Sequence, residues 1–160
     1  MGTKIVKVDY GNVQHAEHLI KLMSAYAMDE MGGAEPLSEF TQKNLAATLS
    51  TLPHAFSVLA YVDDKPAGLI NCFEGFSTFM CKPLVNVHDV IVAEAYRGLG
   101  ISHRMLEEVE QIAVNKGCGK ITLEVLQGNK VARSSYLKHG FKPYCLDPEM
   151  GQAEFWHKYL

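Results

Sequence analysis

The chain has 160 residues, 48% hydrophobic and 21% charged, with a formal net charge of -3; this is the make-up of one folded globular domain and excludes a disordered or fibrous polymer. Its 15 Lys and Arg against 18 Asp and Glu include no basic run, so the electrostatic footprint of a nucleic-acid binder is missing and neither DNA nor RNA is an expected partner. Cys72, Cys81, Cys118 and Cys145 lie far apart and the 7 His form no metal-binding spacing, so neither a disulfide framework nor a metal site is predicted.

Met1 to Lys4 run directly into a strand, and no apolar stretch approaches the ~20 residues of a membrane span. A cytoplasmic protein without membrane attachment is expected. Lys4 to Asp9 reads as a strand, broken at Tyr10-Gly11-Asn12. From Val13 to Met31 apolar residues recur at three and four, the mark of an amphipathic helix, which Gly32-Gly33 stops. Pro36 to Leu52 reads as a second helix with Pro36 in its first turn and Pro53 after its end. Ala55 to Val62 and Ala67 to Phe79 are strand patterns joined by the polar turn Asp63-Asp64-Lys65-Pro66, so they should pair as a hairpin. Leu84 to Ala93 is a further strand.

Ile101, Met105, Leu106, Val109, Ile112 and Ala113 make a helical apolar face that ends at Gly117. Lys120 to Leu126 reads as a buried strand and Asn129 to His139 as a short helix ended by Gly140. Phe141 to Tyr144 and Ala153 to Tyr159 read as closing strands. The strand–helix–strand crossover from Leu84 to Leu126 sets its two strands parallel. The expected architecture is mixed α/β: one domain over residues 1–160, with a central, mostly antiparallel sheet and helices on both faces.

The chemistry concentrates where a strand runs through Arg97-Gly98-Leu99-Gly100-Ile101-Ser102 into a helix. Such a junction aims free backbone N–H groups and the positive end of the helix dipole at one spot, and that spot suits an anion. Gly98 and Gly100 let a phosphate approach the main chain, and Arg97 adds positive charge. A P-loop is excluded because no Lys follows Gly100, and a dinucleotide fingerprint because His103 stands where its third glycine belongs.

The run Val90-Ile91-Val92 followed by Tyr96-Arg97-Gly98-Leu99-Gly100-Ile101-Ser102 resembles the acetyl coenzyme A motif of the GNAT superfamily, Arg/Gln-x-x-Gly-x-Gly/Ala, with Ser102 as a departure at the last position. A second segment, with Asn129, Ala132, Tyr136, Gly140 and Phe141, is similar to that family's Asn-x-x-Ala-x-x-x-Tyr-x-x-x-Gly-Phe. The resemblance implies the GNAT fold, with one parallel pair of strands splayed apart, and acetyl coenzyme A as cosubstrate without a metal. It places the pyrophosphate on Gly98, Leu99, Gly100, Ile101, Ser102 and His103 with Arg97 steering, and pairs the pantetheine arm with the backbone of Val90, Ile91 and Val92. Tyr136 resembles the acid that protonates the departing thiolate, a role that suits a phenol of pKa near ~10.

Asn129 has two open roles, a pantetheine contact or the N-cap of its helix. The general base is also open. Strand alternation puts His88 and Asp89 on opposite faces, so only one can look into the acetyl site. His88 stands where polyamine acetyltransferases of the family carry a glutamate, and Glu74 on the preceding strand is a third candidate. The implied activity is direct acetyl transfer to a primary amine of a small molecule or a protein, a small-molecule amine being the expected partner. A catalytically silent acyl coenzyme A sensor is the alternative. Family members are often dimers, which leaves a homodimer open.

Overall fold

The computed structural model describes residues 2–160, and the chain divides into two compact units, Met1–Leu123 and Glu124–Leu160. In the first unit the order is β1 (Thr3–Lys7), α1 (Val13–Ala27), α2 (Glu39–Ser50), β2 (Ala55–Val62), β3 (Lys65–Ser77), β4 (Lys82–Val92), α3 (Ile101–Asn115) and β5 (Ile121–Leu123). The sheet runs β1-β2-β3-β4-β5, antiparallel throughout except for the β4–β5 pair. This is the mixed sheet expected from the sequence.

Helices cover both faces. Leu19 and Leu22 of α1 and Leu49 of α2 pack with Leu59 and Tyr61 of β2, Leu69 of β3 and Ile91 of β4. On the other face α3 buries Ile101, Met105, Leu106, Val109 and Ala113. Gly68 leaves room for that helix, since a Cβ there would come within 2.7 Å of Met105 Cε. The period-2 pattern of the strands thus sends alternate residues to two helical layers.

The boundaries depart from the sequence reading in ways that have physical causes. α1 ends at Ala27, four residues early, because Asp29 caps a separate 3-10 turn over Glu30–Gly32 by accepting from Met31 N at 3.0 Å. α2 starts after Ser38, whose Oγ accepts from Thr41 N at 3.1 Å, so a hydroxyl cap and not Pro36 opens it. The β2–β3 turn is tighter than expected: Asp63 and Asp64 both take positive φ, 46° and 61°, as a two-residue type I′ hairpin demands, and Lys65 and Pro66 already belong to β3.

In the second unit α4 (Lys130–Lys138) forms as expected. The closing strands do not: no strand is assigned over 141–144 or 153–159, and one backbone bond, Ala153 N to Tyr144 O at 3.3 Å, links the two segments. A segment becomes a strand only where another strand takes its hydrogen bonds, and none lies within residues 124–160. β5 is likewise shorter than the expected Lys120 to Leu126.

Candidate active site

Two features of the first unit gather the candidate site residues. The first is the turn from β4 into α3. Gly98 and Gly100 have φ of 80° and 73°, left-handed values that favour glycine, and a Cβ at either would meet nothing within 4 Å. Gly100 is the N-cap residue of the 15-residue α3, yet no side chain caps that helix. The positive end of the helix dipole and its first amides therefore face an open, glycine-lined space, which fits an anion such as a pyrophosphate.

Arg97 is already engaged. Its guanidinium donates to Asp29 Oδ2 at 2.7 Å and to the Val92 carbonyl at 3.2 Å, strapping the turn after α1 to the end of β4. The Met31 amide and then Arg97 hold the Asp29 carboxyl below its ordinary value. Whatever steering Arg97 gives a phosphate is shared with Asp29. Ile101 is buried at the start of α3, and the exposed imidazole of His103 lies 3.3 Å from Glu107.

The second feature is a β-bulge in β4. The β3–β4 ladder pairs Cys72 with Val87 but Asn71 with Asp89, which makes His88 the extra residue. A bulge shifts a strand's alternation by one. Before it, Val85 and Val87 pair with Glu74 and Cys72; after it, Asp89 and Ile91 pair with Asn71 and Leu69, and Leu69 and Ile91 belong to the α1 core. The expectation that His88 and Asp89 point to opposite faces is therefore corrected. His88 packs edge-on against Phe73 at 5.5 Å, and its Nδ1 lies 3.3 Å from Asp89 Oδ2. Strict alternation holds only along a regular strand, and the bulge breaks it.

The parallel β4–β5 ladder stops at Val87↔Leu123, directly before the bulge. From there Val90, Ile91 and Val92 have no strand partner on the β5 side among the described residues, so an amide-bearing ligand can add to that edge. Glu74 is on the other face of β3 and forms an ion pair with Lys116 at the C-terminus of α3. The structure brings His88 and Asp89 together and keeps Glu74 apart from them.

Within the second unit Asn129 Oδ1 accepts from Ala132 N at 3.1 Å, which realises the N-cap role. Tyr136 is half-buried on α4, its ring 5.9 Å from that of Phe141. Sequence reasoning passed over Ser57 and Asn71, buried polar residues in β2 and β3 that connect to Asp89. Their signal was available: each is a polar residue in an otherwise apolar strand.

Residues 16–141 match the model of the acetyltransferase (GNAT) family. The chain belongs to that family. The GNAT relatives include thialysine N-epsilon-acetyltransferase of Bos taurus, 33% identical over 73 residues, which are 46% of this chain and 39% of that one. Spermidine/spermine N(1)-acetyltransferase-like protein 1 of Homo sapiens is 25% identical over 98% of this chain but only 23% of its own length. The matches thus span well under half of these curated relatives. Among solved structures, AAC(6')-Iy in complex with the bisubstrate analog CoA-S-monomethyl-acetylneamine aligns over 100% of both chains with a TM-score of 0.76 at 17% identity, a likeness of fold. No group of three His, Cys, Asp or Glu among the described residues is placed to hold a metal ion. No helix among them is long and apolar enough to cross a membrane.

Proposed function

We propose that this GNAT chain, acting as one domain, transfers an acetyl group from acetyl coenzyme A to a primary amine by direct attack in a ternary complex. The observation that carries the reading is the side-chain-uncapped N-terminus of α3 behind Gly98 and Gly100, at the end of a strand that loses its neighbour after Val87. Acetyl coenzyme A supplies an activated thioester. The amides from Gly98 to His103 would hold its pyrophosphate, and the Val90–Val92 edge its amide-bearing arm.

The chain's own residues then have proton work to do. An amine is mostly protonated at neutral pH and attacks only after losing a proton. His88, exposed on the bulge, is the acceptor of that proton in this reading. A backbone N–H near Ile91 or Val92 steadies the oxyanion that develops on the acetyl carbonyl. Tyr136 returns a proton to the leaving sulfur.

The names of the relatives, a thialysine acetyltransferase and a spermidine/spermine acetyltransferase-like protein, support a small cationic amine as acceptor, and the chain's net charge of -3 leans the same way. The test is a panel of polyamines, aminothiol-derived amino acids, aminoglycosides and peptide amines, read by release of the coenzyme A thiol. Turnover with one class is expected. Tight acyl coenzyme A binding in calorimetry with no thiol release for any amine would favour the sensor reading.

A further inference from the structure

A row of polar side chains crosses the sheet and ends on His88. Tyr10 OH lies 2.8 Å from Ser57 Oγ, Ser57 Oγ donates to Asn71 Oδ1 at 2.7 Å, and Asn71 Nδ2 donates to Asp89 Oδ2 at 2.9 Å. The same Oδ2 is 3.3 Å from His88 Nδ1. Ser57, Asn71 and Asp89 are register neighbours on β2, β3 and β4. The bulge at His88 creates the row, because without it Asp89 would face the α3 layer.

Counting hydrogens gives the row a direction. Ser57 has one hydroxyl hydrogen and uses it on Asn71, so Tyr10 must donate to Ser57. The Asn71 amide nitrogen meets Asp89 and, at 3.3 Å, Met23 Sδ. Flipping that amide would set its oxygen against the carboxylate, acceptor to acceptor, so the orientation is determined. Every hydrogen along the row therefore points toward Asp89. A protonated Nδ1 of His88 is attracted to Oδ2 and a bare Nδ1 repelled, so the carboxylate selects which nitrogen carries the proton.

We propose that Tyr10, Ser57 and Asn71 are positioning residues that hold the Asp89 carboxylate against His88, fixing neutral His88 as the Nδ1–H tautomer and leaving Nε2 to accept the proton of the acceptor amine. Ser57 and Asn71 are 0% and 3% exposed and direct their polar atoms at each other, at Tyr10 and at Asp89, so an apolar pair in their place would leave Tyr10 and Asp89 without these partners. Burial, and then Asp89 itself, push the Tyr26 phenol and the Cys72 thiol upward, so both stay neutral beside it.

The inference rests on His88 as base, but its test does not need turnover. In the 15N-labelled full chain, with the His88 signals assigned by loss in His88→Gln, imidazole 15N shifts report the tautomer wherever the ring is neutral. The Nδ1–H form is expected in the native chain, against the Nε2–H form that dominates for free histidine in water. The double variant Ser57→Ala/Asn71→Leu removes both buried partners together and should return His88 to the Nε2–H form. Its kcat should fall about tenfold at unchanged KM, a part of the ~10²–10⁴ that a base contributes.

An Nε2–H tautomer in the native chain overturns the proposal, and that measurement needs no variant to fold. Retention of Nδ1–H in the double variant also overturns it, since Asp89 would then need no support. A native Nδ1–H tautomer in a chain whose His88→Gln variant keeps full activity leaves the row standing and removes the base reading instead.

Discussion

The loop at Gly98–Gly100 and the bulge at His88 sit at opposite ends of one stretch of chain, yet they are encoded differently. The loop is local: two glycines at positive φ, a strand before them and a helix after them leave a helix N-terminus without a side-chain cap, all from consecutive residues. The bulge is non-local. His88 and Asp89 share a face only because β3 pairs Cys72 with Val87 and Asn71 with Asp89, and the carboxylate is held by residues 18 and more positions away. An open helix N-terminus can be written in one segment, whereas the placement of His88 beside Asp89 depends on three strands being in register.

The sharpest way to break the comparison is to load the loop with charge. Gly100→Glu puts a side chain on a φ of 73°, a strain of roughly 1–2 kcal/mol, and a negative charge where the helix dipole favours an anion. Coenzyme A affinity should fall at least a hundredfold by calorimetry while the far-UV spectrum is kept, because the position is exposed and a Cβ there touches nothing within 4 Å. Gly100→Ala carries the strain without the charge and should retain most of the affinity. Equal losses in the two variants would make the loop a backbone device and not an anion site.

The same division explains what could be read from the sequence. β1 to β4, three of the helices in the first unit and the turn into α3 follow from periodicity, glycine and capping residues, all local signals. Pro36 misled at α2 because Ser38 offers a better hydrogen-bonding cap two residues on. The opposite-face placement of His88 and Asp89 failed for a different reason: strand alternation carries no mark of an extra residue, and only the register with β3 reveals it. Phe141 to Tyr144 and Ala153 to Tyr159, expected as closing strands, are not assigned as strands, because a short segment's own residues say nothing about which neighbour would pair with it.

Tyr136 was read from a local motif, like the loop, and sharpens the comparison from that side. Tyr136→Phe keeps the ring that packs on Phe141 and removes only the hydroxyl. If that hydroxyl protonates the leaving thiolate, kcat should drop by roughly 10²–10⁴ with the acetyl coenzyme A dissociation constant almost unchanged. Full activity in the Phe variant would make the tyrosine structural and leave the motif as a packing signature.

The smallest effect is expected at the Arg97–Asp29 ion pair at 2.7 Å, which joins the turn after α1 to the Gly98–Gly100 loop. The Met31 amide and then Arg97 lower the Asp29 carboxyl in the folded chain. A depressed carboxylate contributes stability that is fully present above its unfolded value, near ~3.9, and is lost as the pH falls through the lower folded value. Asp29→Asn should therefore cost about 1 kcal/mol or less at pH near ~7, the range for a partly exposed pair, and the gap to the native chain in urea melts should close under acid. The same substitution frees the guanidinium of its carboxylate, so coenzyme A affinity should rise a few-fold at low salt and fall back as salt screens the phosphate. A rise would mean that Asp29 restrains the anion site from the α1 side. Unchanged affinity, with the stability loss intact, would make Arg97 a strap between two parts of the fold and leave the phosphate to the backbone alone.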